Sequence, residues 1–554
     1  MQAPQRQGRN PASAADRDWW RGAVIYQIYP RSYQDTDGDG IGDLKGITSR
    51  LGYIAALGVD AIWISPFFKS PMRDFGYDVS DYRDVDPMFG TLADFEALVA
   101  EAHRLGLKVM IDEVISHTAD DHPWFVESRS SRNNAKADWY VWADAKADGT
   151  PPNNWLSIFG GSAWQWDTRR QQYYLHNFLS EQPDLNFHNP AVQDALLDVT
   201  RFWLERGVDG FRLDTINFYF HSQGLEDNPA LPPEQRNDQT APSVNPYNYQ
   251  DHIYDKSRPE NLGFLERFRA LLDEYPAAAA VGEVGDSQRG LEVVAAYTAA
   301  GKRVHMCYAF DFLAPEKISA AKVRAVLEAF AKTASDGWSC WAFSNHDVVR
   351  HASRWAAGEA DPVAYLKVVS ALLMSLRGSV CLYQGEELGL TEAALAFEDL
   401  RDPYGIRFWP EFKGRDGCRT PMVWEAGAPN GGFSRARPWL PVSAEHLAKA
   451  VDAQQGDPAS LLEHYRRFLA FRRSHPALIS GDIEFIACEG DVVAFTRSEG
   501  NERVVCAFNL GGRPAEVDLG RSARQSLPGH GFPDRPAEGP LRLGPYGAWF
   551  GRVA

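Results

Sequence analysis

The chain has 554 residues, too long for one ordinary core and long enough for two or three domains. Its 57 basic side chains stand against 74 acidic ones, a net charge of −17, so no basic field exists to recruit nucleic acid or another polyanion. That balance fits a soluble protein with a neutral small-molecule substrate, and the 12% aromatic content suits both a large core and stacking against sugar rings.

In chain order, residues 1–18 are polar and rich in Gln, Arg, Pro and Ala, and read as a flexible tail without the apolar stretch of a signal peptide. Eight β-rich runs follow: 22–30, 59–67, 108–116, 208–214, 279–284, 305–312, 338–347 and 379–389. Amphipathic helical stretches lie between them. Those at 91–106 and 191–207 each close on a glycine, a common C-terminal signal. Eight strands, each followed by helical sequence, predict an α/β fold, a (β/α)₈ TIM barrel. The spacing breaks after the third strand, where a stretch rich in Trp, Asn, Asp and Gly reads as an inserted subdomain. Further long inserts follow strand four, near 222–260, and strand eight, near 391–440. From about 475 the pattern changes to short alternating strands, an all-β domain. The expected organisation is a barrel over 19–116 and 188–474, a subdomain over 117–187 and a C-terminal β-sandwich over 475–554.

None of the six cysteines has CxxC or metal-ligand spacing, and Cys307, Cys340 and Cys381 sit in apolar runs. A reduced, cytoplasmic setting is expected. No apolar run approaches the roughly 18 residues of a membrane helix.

Barrel chemistry belongs at the C-terminal ends of the strands. Strand three ends in Asp112, Ser116 and His117; strand four in Arg212 and Asp214; strand five in Glu283; strand seven in His346 and Asp347. One such residue would be unremarkable. Ionisable groups at four strand ends that a barrel brings together predict an active site. Separately, Asp35, Asp37, Asp39 and Asp43 alternate with glycine in DTDGDGIGD, a loop able to curl around a hard cation. It looks like the first half of an EF-hand loop, but Gly46 stands where the bidentate Glu would be.

At these residues the sequence resembles a known family. The segments 112–117 (DEVISH), 210–215 (GFRLDT), 281–284 (VGEV) and 343–347 (FSNHD) look like the four signature regions of the α-amylase superfamily, glycoside hydrolase family 13. The segment 182–186 (QPDLN) is similar to a further signature of its exo-acting α-glucosidases, the maltase and oligo-1,6-glucosidase relatives. The resemblance implies a retaining mechanism, with two carboxyl groups roughly 5–5.5 Å apart flanking the glycosidic bond. By that resemblance Asp214 is the nucleophile, Glu283 the general acid/base and Asp347 the carboxylate that grips the sugar 2- and 3-hydroxyls. Arg212 would keep Asp214 ionised, and His117 and His346 would bond the same sugar. Asp74, Tyr77 and Arg415 look like the group that closes the pocket, with Phe159, Phe178 and Gln182 at further pocket positions. The acidic loop is similar to the structural Ca²⁺ or Mg²⁺ loop of the same group, with the Ile41 carbonyl as another ligand. Ser116 departs from the Asn that many members carry. Thr215, after the nucleophile, is the residue of maltase-like members, whereas those preferring α-1,6 bonds carry Val.

The resemblance therefore implies exo-hydrolysis of short α-1,4 glucosides such as maltose, with transfer to alcohol or sugar acceptors. A dedicated glucosyltransferase, or an oligo-1,6-glucosidase or sucrose-hydrolysing enzyme, would use the same residues. A non-catalytic transporter subunit would have a membrane helix and missing carboxylates, and an endo-amylase would be blocked by Asp74 and Arg415. The expected partner is a small-molecule α-glucoside, with no nucleic acid and no membrane. The sequence leaves monomer and dimer open.

Overall fold

The computed structural model describes residues 17–554 apart from 335, 520–523, 534–539 and 554. The expected tail lies outside the described residues over 1–16. Eight parallel strands form one sheet: β1 (Val24–Ile28), β2 (Ala61–Ile64), β3 (Lys108–Glu113), β4 (Gly210–Leu213), β5 (Ala279–Val284), β6 (Met306–Ala309), β7 (Cys340–Ala342) and β8 (Ser379–Tyr383). Neighbours in sequence pair from β1 to β6 and from β7 to β8, and β8 pairs with β1. A parallel bridge between Cys307 and Ser339 joins β6 to the start of β7 and closes the cylinder. One helix follows each strand in turn: α1 (Leu44–Leu57), α2 (Leu92–Arg104), α3 (Pro190–Leu204), α4 (Asn261–Leu272), α5 (Gly290–Thr298), α6 (Ala320–Thr333), α7 (Pro362–Leu373) and α8 (Leu461–Arg473). This is the (β/α)₈ barrel that the alternation predicts.

The strands are shorter than the runs that announced them. The run 338–347 yields only the three residues of β7, and its second half leaves the barrel wall as a loop that ends in His346 and Asp347. Apolar composition marks what is buried, and barrel loops that pack over the strand ends are buried too. Helix ends are set locally. α2 begins at a capping box in which Thr91 and Asp94 exchange bonds, and past its end the chain turns at Gly106, with φ +79°.

Two cores divide at the barrel wall, because strand side chains alternate between its faces. Ile25, Trp63, Met110, Val281, Met306, Cys340 and Cys381 point inward and fill the barrel. Val24, Tyr26, Ile62, Val109 and Phe211 point outward, under the helices. A barrel packed in this way has no room for ligand at its centre, so a site must sit above its mouth.

Between β3 and α3 lies a three-stranded antiparallel sheet, ordered Trp142–Ala143, Gln172–Leu175, Trp164–Asp167. The chain's way out and way back are themselves paired: His117 bridges Asp184, and Leu185 N–H donates to the Ser116 carbonyl at 3.0 Å. That pairing brings 182–186 back beside the end of β3. The C-terminal unit has a five-stranded antiparallel sheet facing a two-stranded one, Ala515–Val517 with Leu541–Leu543. Val492, Ala494, Val505, Ala507 and Trp549 pack between the two sheets. The opposite face, with Phe495, Phe508 and Phe550, joins the barrel's outer core. Arg497, fully buried, ties the two units by donating to the carbonyls of Ser375, Leu376 and Gly481 at 2.6, 2.8 and 2.7 Å. Among the described residues no helix is long and apolar enough to cross a membrane.

Candidate active site

Arg212 points into the barrel mouth from β4 and is fully buried. Its Nη1 donates to Asp112 Oδ1 at 2.9 Å and to Asp214 Oδ1 at 2.5 Å, and its Nη2 pairs with Glu283 Oε2 at 2.5 Å. Tyr308 of β6 lends its hydroxyl at 3.0 Å, and the Trp63 ring lies 5.0 Å beneath the guanidinium. Strands β3, β4 and β5 thus deliver three carboxyl groups to one cation. Burial works against the Arg212 charge, but Asp112, Glu283, Tyr308 and Asp214 outweigh it and hold the group protonated.

The carboxyls fare differently. Burial pushes Glu283 up to about 8 and Asp214 up to about 7, with Arg212 opposing in each case. Asp112 is pushed up to about 6, again chiefly by burial. Arg212 favours the ionised form of Asp214, as expected, and burial works against it. One guanidinium divided among three carboxyls does not offset the loss of water around each of them.

Thr215 follows Asp214 in the left-handed region, φ 42° and ψ 46°. Its N–H donates to Glu283 Oε2 at 3.2 Å and its hydroxyl to Asp214 Oδ2 at 3.3 Å. The same hydroxyl lies 3.1 Å from Ser116 Oγ. The structure thus turns this hydroxyl toward the carboxyl below it.

A second cluster faces the first. Asp347 Oδ1 accepts from Arg419 Nη2 at 2.9 Å and Arg415 Nη1 at 3.3 Å, and its Oδ2 lies 3.2 Å from His346 Nε2. Burial opposes ionisation there, yet His346 and the two arginines hold the Asp347 carboxyl below the usual carboxylate range. At 27% exposed, this side chain is more open than those of Asp214 and Glu283. Arg415 also reaches Asp74 Oδ1 at 2.7 Å and is gripped at two points by Asp402, at 2.7 and 3.0 Å. Gln182 donates to Asp74 Oδ2 at 3.3 Å and to the Tyr77 carbonyl at 3.1 Å.

Tyr77 lies parallel to His346, with ring centroids 5.3 Å apart. Gln27 donates to His346 Nδ1 at 2.7 Å, which leaves the His346 Nε2–H to face the Tyr77 hydroxyl at 2.5 Å. Tyr77 in turn donates to Asp112 at 3.1 Å. His117 donates to the Tyr77 carbonyl at 2.7 Å and is held neutral, its pKa lowered to about 4 by burial. Phe178, half-buried, stands 5.2 Å from the His117 ring. Phe159 is buried against Tyr404, with Arg415 over its face at 5.2 Å. Every pocket residue named from the sequence therefore lies in one connected network.

Sequence reasoning missed Asp402, Arg419, Gln27 and Tyr308. Arg419 closes the RDGCR segment that Arg415 opens, so its signal was present. The others lie on separate elements, with no motif to mark them.

In the acidic loop, Asp35, Asp37 and Asp39 bring carboxylate oxygens within 4.8 Å of one another. Asp43, the fourth expected ligand, lies outside that group. Its carboxylate caps α1 by accepting from Gly46 N–H at 2.7 Å and also accepts from Thr36 N–H at 2.7 Å. Three hard oxygen donors fit a Ca²⁺ or Mg²⁺ ion.

Comparison with known proteins places the chain in a family. The family described as "Alpha amylase, catalytic domain" matches residues 27–481. A protein of Rhizobium meliloti (strain 1021) named "Probable alpha-glucosidase" is 69% identical over 97% of this chain and 98% of its own length. The "Oligo-1,6-glucosidase" of Heyndrickxia coagulans is 36% identical over 90% of this chain and 94% of its own. Among solved structures, an alpha-glucosyl transfer enzyme, XgtA, superposes with a TM-score of 0.94 at 56% identity, covering 99% of this chain and 100% of that one.

The raised carboxyls make a stability test. An unfolded carboxyl titrates near about 4, whereas folding lifts Glu283 to about 8. The folded state holds that proton more tightly, so its stabilisation is full below pH of about 4 and is lost as the pH rises to about 8. Glu283→Gln, neutral at every pH, should be more stable than the parent at pH 9 by about 1–2 kcal/mol, with the gap closing at pH 5. Thermal melts of both proteins at the two pH values check this, and a parent that melts higher at pH 9 contradicts it.

Proposed function

This chain belongs to the α-amylase family and is an α-glucosidase within it, and on that footing we propose that it is a retaining exo-acting enzyme working through a covalent glucosyl-enzyme. The observation that carries the reading is the placement of Asp214 and Glu283 on one guanidinium, at the ends of adjacent strands. Asp214 attacks the anomeric carbon as Glu283 gives its proton to the departing glycosidic oxygen. The nucleophile becomes a neutral ester, and one charge that raised the Glu283 pKa disappears. Glu283, now a carboxylate of lower pKa, takes a proton from water as the water displaces Asp214. Two displacements at one carbon return the α configuration. Where an alcohol or sugar hydroxyl takes the place of water, the same steps transfer glucose. The likeness to an alpha-glucosyl transfer enzyme favours that second outcome.

The ionised Asp347 faces the sugar 2- and 3-hydroxyls in this reading, with His117 and His346 as neutral partners. Asp74, Arg415 and Gln182 close the non-reducing end, which restricts cleavage to terminal glucose. Tyr77 supplies a ring beneath the sugar, and Phe159 and Phe178 line one side. Asp35, Asp37, Asp39 and the Ile41 carbonyl hold a structural Ca²⁺ or Mg²⁺, which takes no part in the chemistry.

Azide separates the two carboxylate roles. Glu283→Gln acting on an activated aryl α-glucoside should regain turnover with azide and release the α-glucosyl azide, because the anion takes the place of water. Asp214→Ala with azide should give the β anomer, because the anion replaces the nucleophile. The opposite pair of products, by NMR, would reverse the assignments. Linkage preference is tested at Thr215, whose replacement by Val removes the hydroxyl beside Asp214. The parent should favour maltose over isomaltose, and Thr215→Val should lower the ratio of kcat/KM by about tenfold. A parent that prefers isomaltose, or an unmoved ratio, counts against the preference. For the acidic loop, chelator should lower the melting temperature, by the loss of about 3 kcal/mol where the ion stood near 100 times its Kd. Joint replacement of Asp35 and Asp39 by Ala should remove that dependence. Melting unaffected by chelator in the parent argues for a loop without an ion.

A further inference from the structure

Strand β5 runs beyond its neighbour β4. The pairing of the two ends with Gly282 opposite Leu213, while β5 continues through Glu283 and Val284 beside Tyr308 and Ala309 of β6. On the β4 side the chain bends away at Thr215 into one tight turn, Ile216–Phe218. Past Gly282 no residue of β4 stands in register beside β5, and the interior is where unpaired peptide groups are costly.

Side chains take over from the strand. Asn217, on that turn and fully buried, sets its amide against the peptide groups of Gly285. Its Oδ1 accepts the Gly285 N–H at 3.1 Å and its Nδ2 donates to the Gly285 carbonyl at 3.3 Å. One side-chain amide thus makes the two-way pairing that a strand residue would have made. The amide is itself fixed, since Nδ2 also donates to Ser257 Oγ at 3.0 Å and the Asn217 carbonyl accepts the Ser257 N–H at 2.6 Å. Lys256, buried beside it, gives the Gly285 carbonyl a second donor at 2.8 Å. The end of the insert after β4 is thereby fastened to the exit of β5.

We propose that Asn217 is a positioning residue for the acid/base Glu283, holding the end of β5 so that the carboxyl keeps its place opposite Asp214. The proposal rests on the retaining reading of the site. Gly285 is two residues past Glu283 on one extended segment, so a shift of its peptide carries the carboxyl with it. The pairing needs a donor and an acceptor on one short side chain. Asn has both, Asp in its ionised form lacks the donor, and Ala lacks both.

Leaving groups distinguish positioning of an acid from general damage. Maltose needs its departing oxygen protonated, and a 2,4-dinitrophenyl α-glucoside does not. Asn217→Ala should lower kcat/KM on maltose by about a hundredfold and on the dinitrophenyl glucoside by less than about threefold. Added azide should then raise kcat on the dinitrophenyl glucoside in the variant and not in the parent, because the misplaced Glu283 also serves poorly as base. Lys256→Met and Asn217→Asp should show the same split more weakly, and they carry the test if the Ala variant does not fold. Equal losses on both glucosides, or no loss on either, overturn the proposal. A parent inert toward both glucosides would instead remove the α-glucosidase reading, and the proposal with it.

Discussion

One buried guanidinium answering three carboxyl groups is the constraint around which the rest of the molecule is arranged. Arg212 pairs with Asp112, Asp214 and Glu283, and none of these side chains is more than a few per cent exposed. Three such groups ionised together would leave an excess of negative charge in a place with little water, so protons stay on at pH values where free carboxyls have lost them. The barrel makes this possible. Parallel strands end at one level, and the charges stand where backbone loops, rather than helices, surround them. A neighbouring aromatic layer of Trp63, Tyr77 and Tyr308 keeps water out while offering Arg212 its ring faces and one hydroxyl.

The second cluster is better supplied with cations. Arg415 and Arg419 together serve Asp347, Asp74 and Asp402, so cations are nearly enough. Asp347 and Asp402 are held below the ordinary carboxyl range, although burial pushes both the other way. Burial raises Asp74 all the same, and it is Glu283 and Asp347 that are driven in opposite directions, the one sharing a single guanidinium and the other reaching two. In the retaining mechanism that difference separates the proton donor, Glu283, from the fixed anion, Asp347. A single uniform pocket could not hold both.

Much of this is legible in the sequence, and the limits have physical causes. The alternation of strand and helix is a local property, so all eight strands can be read from it, and only their ends cannot. Asp214, Glu283 and Asp347 stand out because a charge directly after an apolar strand has few bland explanations. Their proton affinities are less legible. Arg212 is visible beside Asp214 in sequence, but its sharing with Asp112 and Glu283 depends on strand adjacency and register. Gln27 meets His346 from the far end of the barrel sequence, Asn217 meets Gly285 at the next strand, Asp402 grips Arg415 from within one insert, and nothing in their own neighbourhoods marks them. Asp43 shows the converse difficulty. Its place in an acidic loop suggests a ligand, yet it also stands just before a helix, whose cap it supplies.

Thr215 is where these features meet. A β-branched residue in the left-handed region costs roughly 1–2 kcal/mol, and glycine would avoid the cost. The conformation has a use, however. It directs the Thr215 N–H to Glu283 while the side-chain hydroxyl meets Asp214 and Ser116, so one residue touches both carboxyls that share Arg212. A relaxed, extended residue would have continued β4 and paired with β5, pointing its N–H along the sheet. Ending β4 by a left-handed turn hands the ladder's last hydrogen bonds to side chains, and the end of β5 past Gly282 is what Asn217 covers. The local strain, the early end of β4 and the side-chain pairing at Gly285 are then one feature. Backbone regularity is given up at the strand end that carries Asp214, and hydrogen-bond donors are thereby turned toward the carboxyls.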